Sequence, residues 1–259
     1  MTKILCYLLW ASAGIVRSKE LPLIIPAIEL AGAWQAKVSL CGKPQVVGVH
    51  LQLLTEIVDQ RERLRHVDAL LTTNNLQGWF SDGRRGFEFD GRRLVLTVTR
   101  SKLRPLQEEF ELNLKFDEGA RQWSGSLTCN GEEQSIVLQR PHDEASTKLR
   151  PLMGEWDDRF GAFGFVGCLH AYVQKNDELI LWIDRRSGDY SIYGQRHSGG
   201  LYGNELRFST LSPFGNDQGF VGALSADGNR IEGDWSAPLR IPLIFRRVEN
   251  GACTLTSGH

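Results

Sequence analysis

Two histidines stand inside otherwise apolar stretches, His50 after Val-Val-Gly-Val and His170 after Val-Gly-Cys-Leu. An imidazole titrates near neutrality, so either ring has the chemistry to move a proton or to anchor a ligand's polar atom. Strand alternation predicts that His170 faces inward with Cys168 and Tyr172, leaving Leu169 and Ala171 on the other face. Downstream, Trp182, Tyr190, Tyr193 and Tyr202 recur in strand-like segments. They supply aromatic walls for a small molecule, with His170 and Tyr193 as its polar contacts. The structural alternative for each histidine is a neutral core ring held by a backbone carbonyl. Asp157-Asp158-Arg159 and Asp184-Arg185-Arg186 are expected to balance charge as ion pairs at a rim.

Familiar catalytic signatures are missing from the chain. It has no G-x-S-x-G elbow, no G-x-x-x-x-G-K-S/T phosphate loop, no H-E-x-x-H pair and no G-x-G-x-x-G turn on a strand-helix unit. The segment from Asp227 to Glu232 has acidic residues but lacks the ligand spacing of a calcium loop, and a hairpin turn at Asp227-Gly228 accounts for it. No catalytic residue, metal or cofactor is assigned on this pattern.

The elements that would carry these residues are strands, and their landmarks occur twice in the same order. Gly32-Ala33-Trp34 and Gly154-Glu155-Trp156 open the two series. Gly91-Arg-Arg-Leu-Val-Leu matches Gly203-Asn-Glu-Leu-Arg-Phe, Phe110-Glu-Leu-Asn-Leu matches Phe220-Val-Gly-Ala-Leu, and Gly125 matches Gly233. Apolar stretches ending at Arg140 and Arg246 close them. Repetition of this kind points to duplication of one folding unit. Short alternating runs separated by Lys-Asn-Asp177, Arg-Ser-Gly188, Ser-Gly-Gly200 and Ala-Asp-Gly228 predict an all-β fold, two consecutive antiparallel barrels that hide their edges by closure. The boundaries read as a possible signal and extension over 1–29, a first, divergent barrel over 30–140, a linker over 141–152, a second barrel over 153–248 and a polar tail over 249–259. In the first copy, Ile57, Leu64, Val67 and Leu71 fall near a helical stripe, which predicts a short helix or long excursion across one barrel mouth.

Composition narrows the partners. The chain has 259 residues, 41% of them apolar, and seven tryptophans, enough for two cores. Thirty basic and 31 acidic residues are interspersed, so there is no clustered positive charge for a nucleic-acid backbone or an anionic ligand. Lys3 followed by an apolar run over residues 4–16 and by Ala11-Ser12-Ala13 has the form of an export signal, and the run is too short for a stable membrane span. The expected location is secreted or periplasmic, with the cytoplasm as the alternative. Cys41, Cys129, Cys168 and Cys253 form an even set compatible with disulfides, although Cys41 and Cys168 read more simply as apolar strand positions.

The second copy resembles a bacterial small barrel module with the loose pattern G-x-W, then F-x-G-x-L-x-x-D-G-x-x-I-x-G-x-W, then P-L-x-x-x-R. Here it appears as Gly154-Glu-Trp156, as Phe220 through Gly222, Leu224, Asp227-Gly228, Ile231 and Gly233 to Trp235, and as Pro242-Leu-Ile-Phe-Arg246. The resemblance implies a lipocalin-like β-barrel, found alone or attached to hydrolase domains, and carries no catalytic signature. The first copy departs from it, with Ser126-Leu127 after Gly125 and no Asp-Gly turn. The expected function is binding of a small, neutral, largely apolar molecule in the cavity of the second copy, at His170, Trp182, Tyr190, Tyr193 and Tyr202. The alternatives are a cofactor-independent isomerase, cyclase or hydrolase in the same cavity, or an interaction module with filled barrels.

Overall fold

The computed structural model describes residues 21–74, 77–99, 109–141, 149–158, 166–174, 178–187, 189–210, 218–237 and 239–248. The export-like run, residues 142–148 of the expected linker and the 249–259 tail lie outside them. The first half contains β1 (Leu21–Pro22), α1 (Ala27–Leu30), β2 (Gly32–Leu40), β3 (Lys43–Val58), β4 (Arg61–Thr72), β5 (Gln77–Ser81), β6 (Phe87–Phe89), β7 (Arg93–Val98), β8 (Phe110–Asp117), β9 (Gln122–Cys129) and β10 (Glu132–Leu138). After a 3-10 turn at Arg150–Leu152 come β11 (Gly154–Asp158), β12 (Val166–Gln174), β13 (Glu178–Ser187), β14 (Tyr190–Tyr202), β15 (Glu205–Thr210), β16 (Gln218–Leu224), β17 (Arg230–Ala237) and β18 (Leu239–Arg247).

These last eight strands close into an antiparallel barrel. Each pairs with its sequence neighbour, β18 returns to β11, and β14 pairs with both β13 and β15. The barrel is filled by aromatic rings. Phe208 stacks on Phe220 at 4.8 Å, Phe220 meets Phe245 edge-on at 5.7 Å, and Trp235 lies 5.7 Å from Phe208. Ser198-Gly199-Gly200, expected to be a turn, instead lies within β14. A Cβ at Gly199 would come 2.6 Å from the Cβ of Phe208, so this glycine makes room for the Phe208 side chain across the strand pair.

The first half is not an independent closed barrel. Strands β1 to β5 belong to one sheet and β6 to β10 to another, and among the described residues one bridge, Gln35 to Gln139, joins β2 to β10. Both sheets face one core, in which Val47, Leu51 and Leu71 meet Leu94, Leu112 and Trp123. The pairing of β5 with β4 and of β6 with β7 divides between two short strands what the two ends of β14 do in the second half.

Contrary to the expectation of separate tandem barrels, one sheet crosses from half to half. Tyr190 to Tyr193 of β14 pair with Glu56 to Leu53 of β3. The cause is the length of β14. Its pairing with β15 begins only at Ser198, so its first residues would otherwise present an open edge, and β3 covers it. The expected helix or excursion after Glu56 is also absent, because β3 and β4 form a hairpin turning at Asp59-Gln60. Both turn residues have positive φ, 52° and 62°, without the glycine that usually signals such a turn.

An identical clasp closes each half. The Trp34 indole N–H donates to the Leu30 carbonyl at 2.9 Å, and the Trp156 indole N–H donates to the Leu152 carbonyl at 3.0 Å. Arg140 lies 3.9 Å over the Trp34 ring and donates to the carbonyls of Ala31 and Glu29. Arg247 lies 4.3 Å over Trp156 and donates to those of Met153 and Pro151. The closing arginine of the second half is therefore Arg247. Arg246, which the sequence pattern selects, is exposed on the opposite face of β18.

Cys41 and Cys129 form a disulfide that ties the turn between β2 and β3 to the end of β9, and Cys168 is disulfide-bonded as well. The reading of Cys41 and Cys168 as merely apolar strand positions is thus corrected. Trp123 and Phe116 fill the core with rings 5.2 Å apart.

Candidate functional site

Ionisable and aromatic side chains converge where the outer face of the closed barrel meets the first half. In β12, Leu169 and Ala171 pack into the barrel core. His170, between them, therefore points out of the barrel, which reverses the expected inward orientation. The alternation was sound, but period two does not say which face is the core. The same parity turns Ile180 and Trp182 of β13 outward, where they pack against Ala33 of β2.

His170 donates from Nε2 to Asp184 Oδ2 at 2.9 Å, and its Nδ1 faces Glu155 Oε1 at 3.7 Å. The other oxygen of Asp184 accepts the Gly194 N–H at 2.6 Å, and the Gly194 carbonyl accepts His50 Nε2–H at 2.7 Å. A polar chain thus runs from Glu155 through His170, Asp184 and the Gly194 peptide to His50 in the other half. The bulge in the β13 to β14 pairing, between Ile183 and Arg185, sets the Asp184 carboxylate against the Gly194 amide. Gly194 has φ +70°, and a Cβ there would lie 2.2 Å from the Leu51 carbonyl oxygen. A side chain at position 194 would hold the two halves apart here. Trp182 is the apolar floor, stacked on His170 at 4.9 Å, edge-on to His50 at 6.4 Å and 5.7 Å from the Arg140 guanidinium.

The two histidines hold equivalent places, His50 opposite Ala33 and His170 opposite Glu155, each paired with the residue preceding its half's clasp tryptophan. Their titrations are driven apart. Burial alone would lower His170, but the hydrogen bond and charge of Asp184, with Glu155 behind them, lift it to about 9. Burial lowers His50 to about 4 in spite of its bond to Gly194, and the charges of Arg196 and Arg140 add to the effect. At neutral pH the first is an imidazolium and the second a neutral ring.

Such an arrangement holds charge well and exchanges protons poorly. Both ring nitrogens of His170 are directed at carboxylates, and His50 is too weak a base to work near neutrality. Among the described residues, no group of three or more His, Cys, Asp or Glu side chains is placed to hold a metal ion.

The predicted residues divide accordingly. His170 and Trp182 come together at the seam, and Tyr193 lies nearby, partly buried against Cys168 and the first core. Burial and the neighbouring Glu62 carboxylate raise the Tyr193 phenol to about 12. Tyr190 and Tyr202 are exposed, away from any lumen. Within the closed barrel the buried polar ring is His197, 5.5 Å from both Phe208 and Trp235; burial, with Arg185 nearby, keeps it well below the usual histidine range. Two surface clefts lie away from the aromatic core. One of about 430 Å³ follows β2 and β3 near their turn, and one of about 380 Å³ lies by Ala223, Ser225 and Arg230.

Asp184 is the seam residue that sequence reading misplaced, as rim charge. Counting outward from the Gln174 to Glu178 pair would have set Cys168 opposite Asp184 and His170 opposite Trp182. Gly194 carried no comparable signal, because its role depends on the other half.

No protein-family model matches the chain, and no curated protein matches it. Among solved structures, the chain aligns with a crystal structure of a protein of unknown function from the DUF3598 family of Nostoc punctiforme. The alignment covers 85% of this chain and 97% of that one, at 13% identity and a TM-score of 0.23. No helix among the described residues is long and apolar enough to cross a membrane.

Proposed function

We propose that the chain is a duplicated lipocalin-like protein, two modules joined along β3 and β14, that binds a small, largely apolar molecule without transforming it. The repeated tryptophan-arginine clasp and the equivalent positions of His50 and His170 support the duplication. The noncatalytic half of the reading is carried by His170, whose two nitrogens are both directed at carboxylates in the seam. Ring packing in the closed barrel favours a ligand at a barrel end over one in the lumen. The disulfide-bonded Cys41, Cys129 and Cys168 favour a secreted or periplasmic setting over the cytoplasm.

The test is to incubate the intact protein with a cell lipid and metabolite extract, recover it by gel filtration and analyse what it retains by mass spectrometry. Unchanged apolar molecules in stoichiometric amount support the reading. Conversion of any of them to product refutes the noncatalytic half, and an empty protein refutes the binding half. Thiol titration of the unreduced, denatured protein tests the compartment, and a full complement of reactive thiols would count against export.

A further inference from the structure

The outer face of the first-half sheet gathers polar side chains around an exposed tryptophan. Val67, Ala69 and Phe80 pack into the first core, so Asp68 of β4 and Trp79 and Ser81 of β5 point the other way. Gln52 of β3, Asp68 and Ser81 stand opposite one another across three strands, with Leu70 and Trp79 on the next rung. Trp79 is 54% exposed, so much of its indole faces solvent beside these groups. Asp68 Oδ1 accepts from the Ser81 hydroxyl at 2.5 Å and from His66 Nε2–H at 3.0 Å. Both donors take the same oxygen, and the Asp68 side chain is 23% exposed. Among the described residues nothing engages Oδ2, which is left to accept from outside. Because the Ser81 proton goes to the carboxylate and not to the imidazole, the cluster is built to recognise polar groups and not to activate a nucleophile. Its charges are also matched. The hydrogen bond to Asp68 raises His66 above its usual range, and this ring and Arg84 oppose Asp68 and Asp82, so neither an anion nor a cation is favoured.

We infer that this face binds a neutral carbohydrate, with a pyranose ring lying on Trp79 and its hydroxyls held by Asp68 Oδ2 and the Gln52 amide. The C–H bonds on one side of a sugar ring carry partial positive charge and meet the electron-rich face of an indole, while the hydroxyls around its rim need acceptors and donors beside that face. The diagonal from Trp79 to Asp68 across the strand pair spans about 7–8 Å, which leaves room for one hexose between stacking and hydrogen-bonding groups. The site is independent of the apolar ligand proposed above.

The experiment uses the intact chain, nitrogen-15 labelled, titrated separately with cellotetraose, maltotetraose, mannotetraose and chitotetraose, and with tetragalacturonate as an acidic counterpart. At least one neutral tetrasaccharide is expected to shift the Trp79 indole N–H and the Gln52 side-chain amide, and to bind more tightly than tetragalacturonate. Trp79→Ala should weaken that binding by at least about tenfold, Trp79→Phe should keep part of it, and Asp68→Asn should weaken it by about fivefold. Trp79 is exposed, so its replacement is expected to leave the melting temperature nearly unchanged. Shifts at neither group with any neutral probe, equal or tighter binding of tetragalacturonate, or an affinity unchanged in Trp79→Ala overturns the inference. If Asp68→Asn fails to fold, the shifts in the unsubstituted protein and the Trp79 variants decide the matter without it.

Discussion

Replacing His170 with leucine would leave Asp184, only 2% exposed, with the Gly194 N–H in place of a full counter-charge. Removing one partner of a buried ion pair costs about 3–5 kcal/mol, mostly because the survivor is charged and cannot be solvated. The pH dependence separates this cause from simple loss of packing. The folded pKa of His170, about 9, lies above the unfolded value near 6.5. Its contribution is therefore fully present below about pH 6.5 and is lost as pH rises through 9, by about 3 kcal/mol in all. Urea unfolding followed by tryptophan fluorescence should thus show His170→Leu far less stable than the natural chain near pH 6, with the gap narrowing to about 1–2 kcal/mol near pH 10. The double variant His170→Leu with Asp184→Leu should recover most of the loss, since no buried charge is then left alone. A gap that is the same at both pH values, or a single-variant cost below about 1 kcal/mol near pH 6, would refute the seam as a charged lock.

On the acid side the sign is opposite. Because the folded pKa of His50, about 4, lies below its unfolded value, stability present above about pH 6.5 should fall by about 3 kcal/mol as pH drops through 4, and His50→Phe should flatten that limb in the same unfolding assay. Arg247→Ala should cost about 2–4 kcal/mol, through loss of its contact with Trp156 and its three carbonyl partners, Met153, Pro151 and Gly228, while Arg246→Ala costs under about 1 kcal/mol; the reverse order in thermal melts would restore the register expected from sequence. Gly194→Ala should destabilise by more than about 2 kcal/mol, because its Cβ would meet the Leu51 carbonyl and its φ is positive, and hydrogen exchange should report the damage first where β14 pairs with β3.

Sequence alone determined the all-β class, the closed antiparallel barrel and the landmarks that return in the second half. These follow from local chemistry: alternating side chains select strands, and Asp227-Gly228 selects a turn wherever it stands. It also picked out His170, Trp182 and Tyr193, because polar and aromatic residues inside apolar runs are conspicuous at short range. Tertiary structure decided what those residues do. Alternation places His170 and Leu169 on opposite faces but is symmetric to exchanging them, and only the closure of β11 to β18 makes the Leu169 face the core and the His170 face the seam. The choice between Arg246 and Arg247 turned on one residue of register, which is fixed by the pairing of β18 with β11 and not by the arginine-rich ending itself. The partnership of Asp184 with His50 through Gly194 joins residues more than 130 positions apart, and it arises from the uncovered start of β14 meeting β3. No local pattern encodes that meeting, because the edge exists only after the barrel has closed.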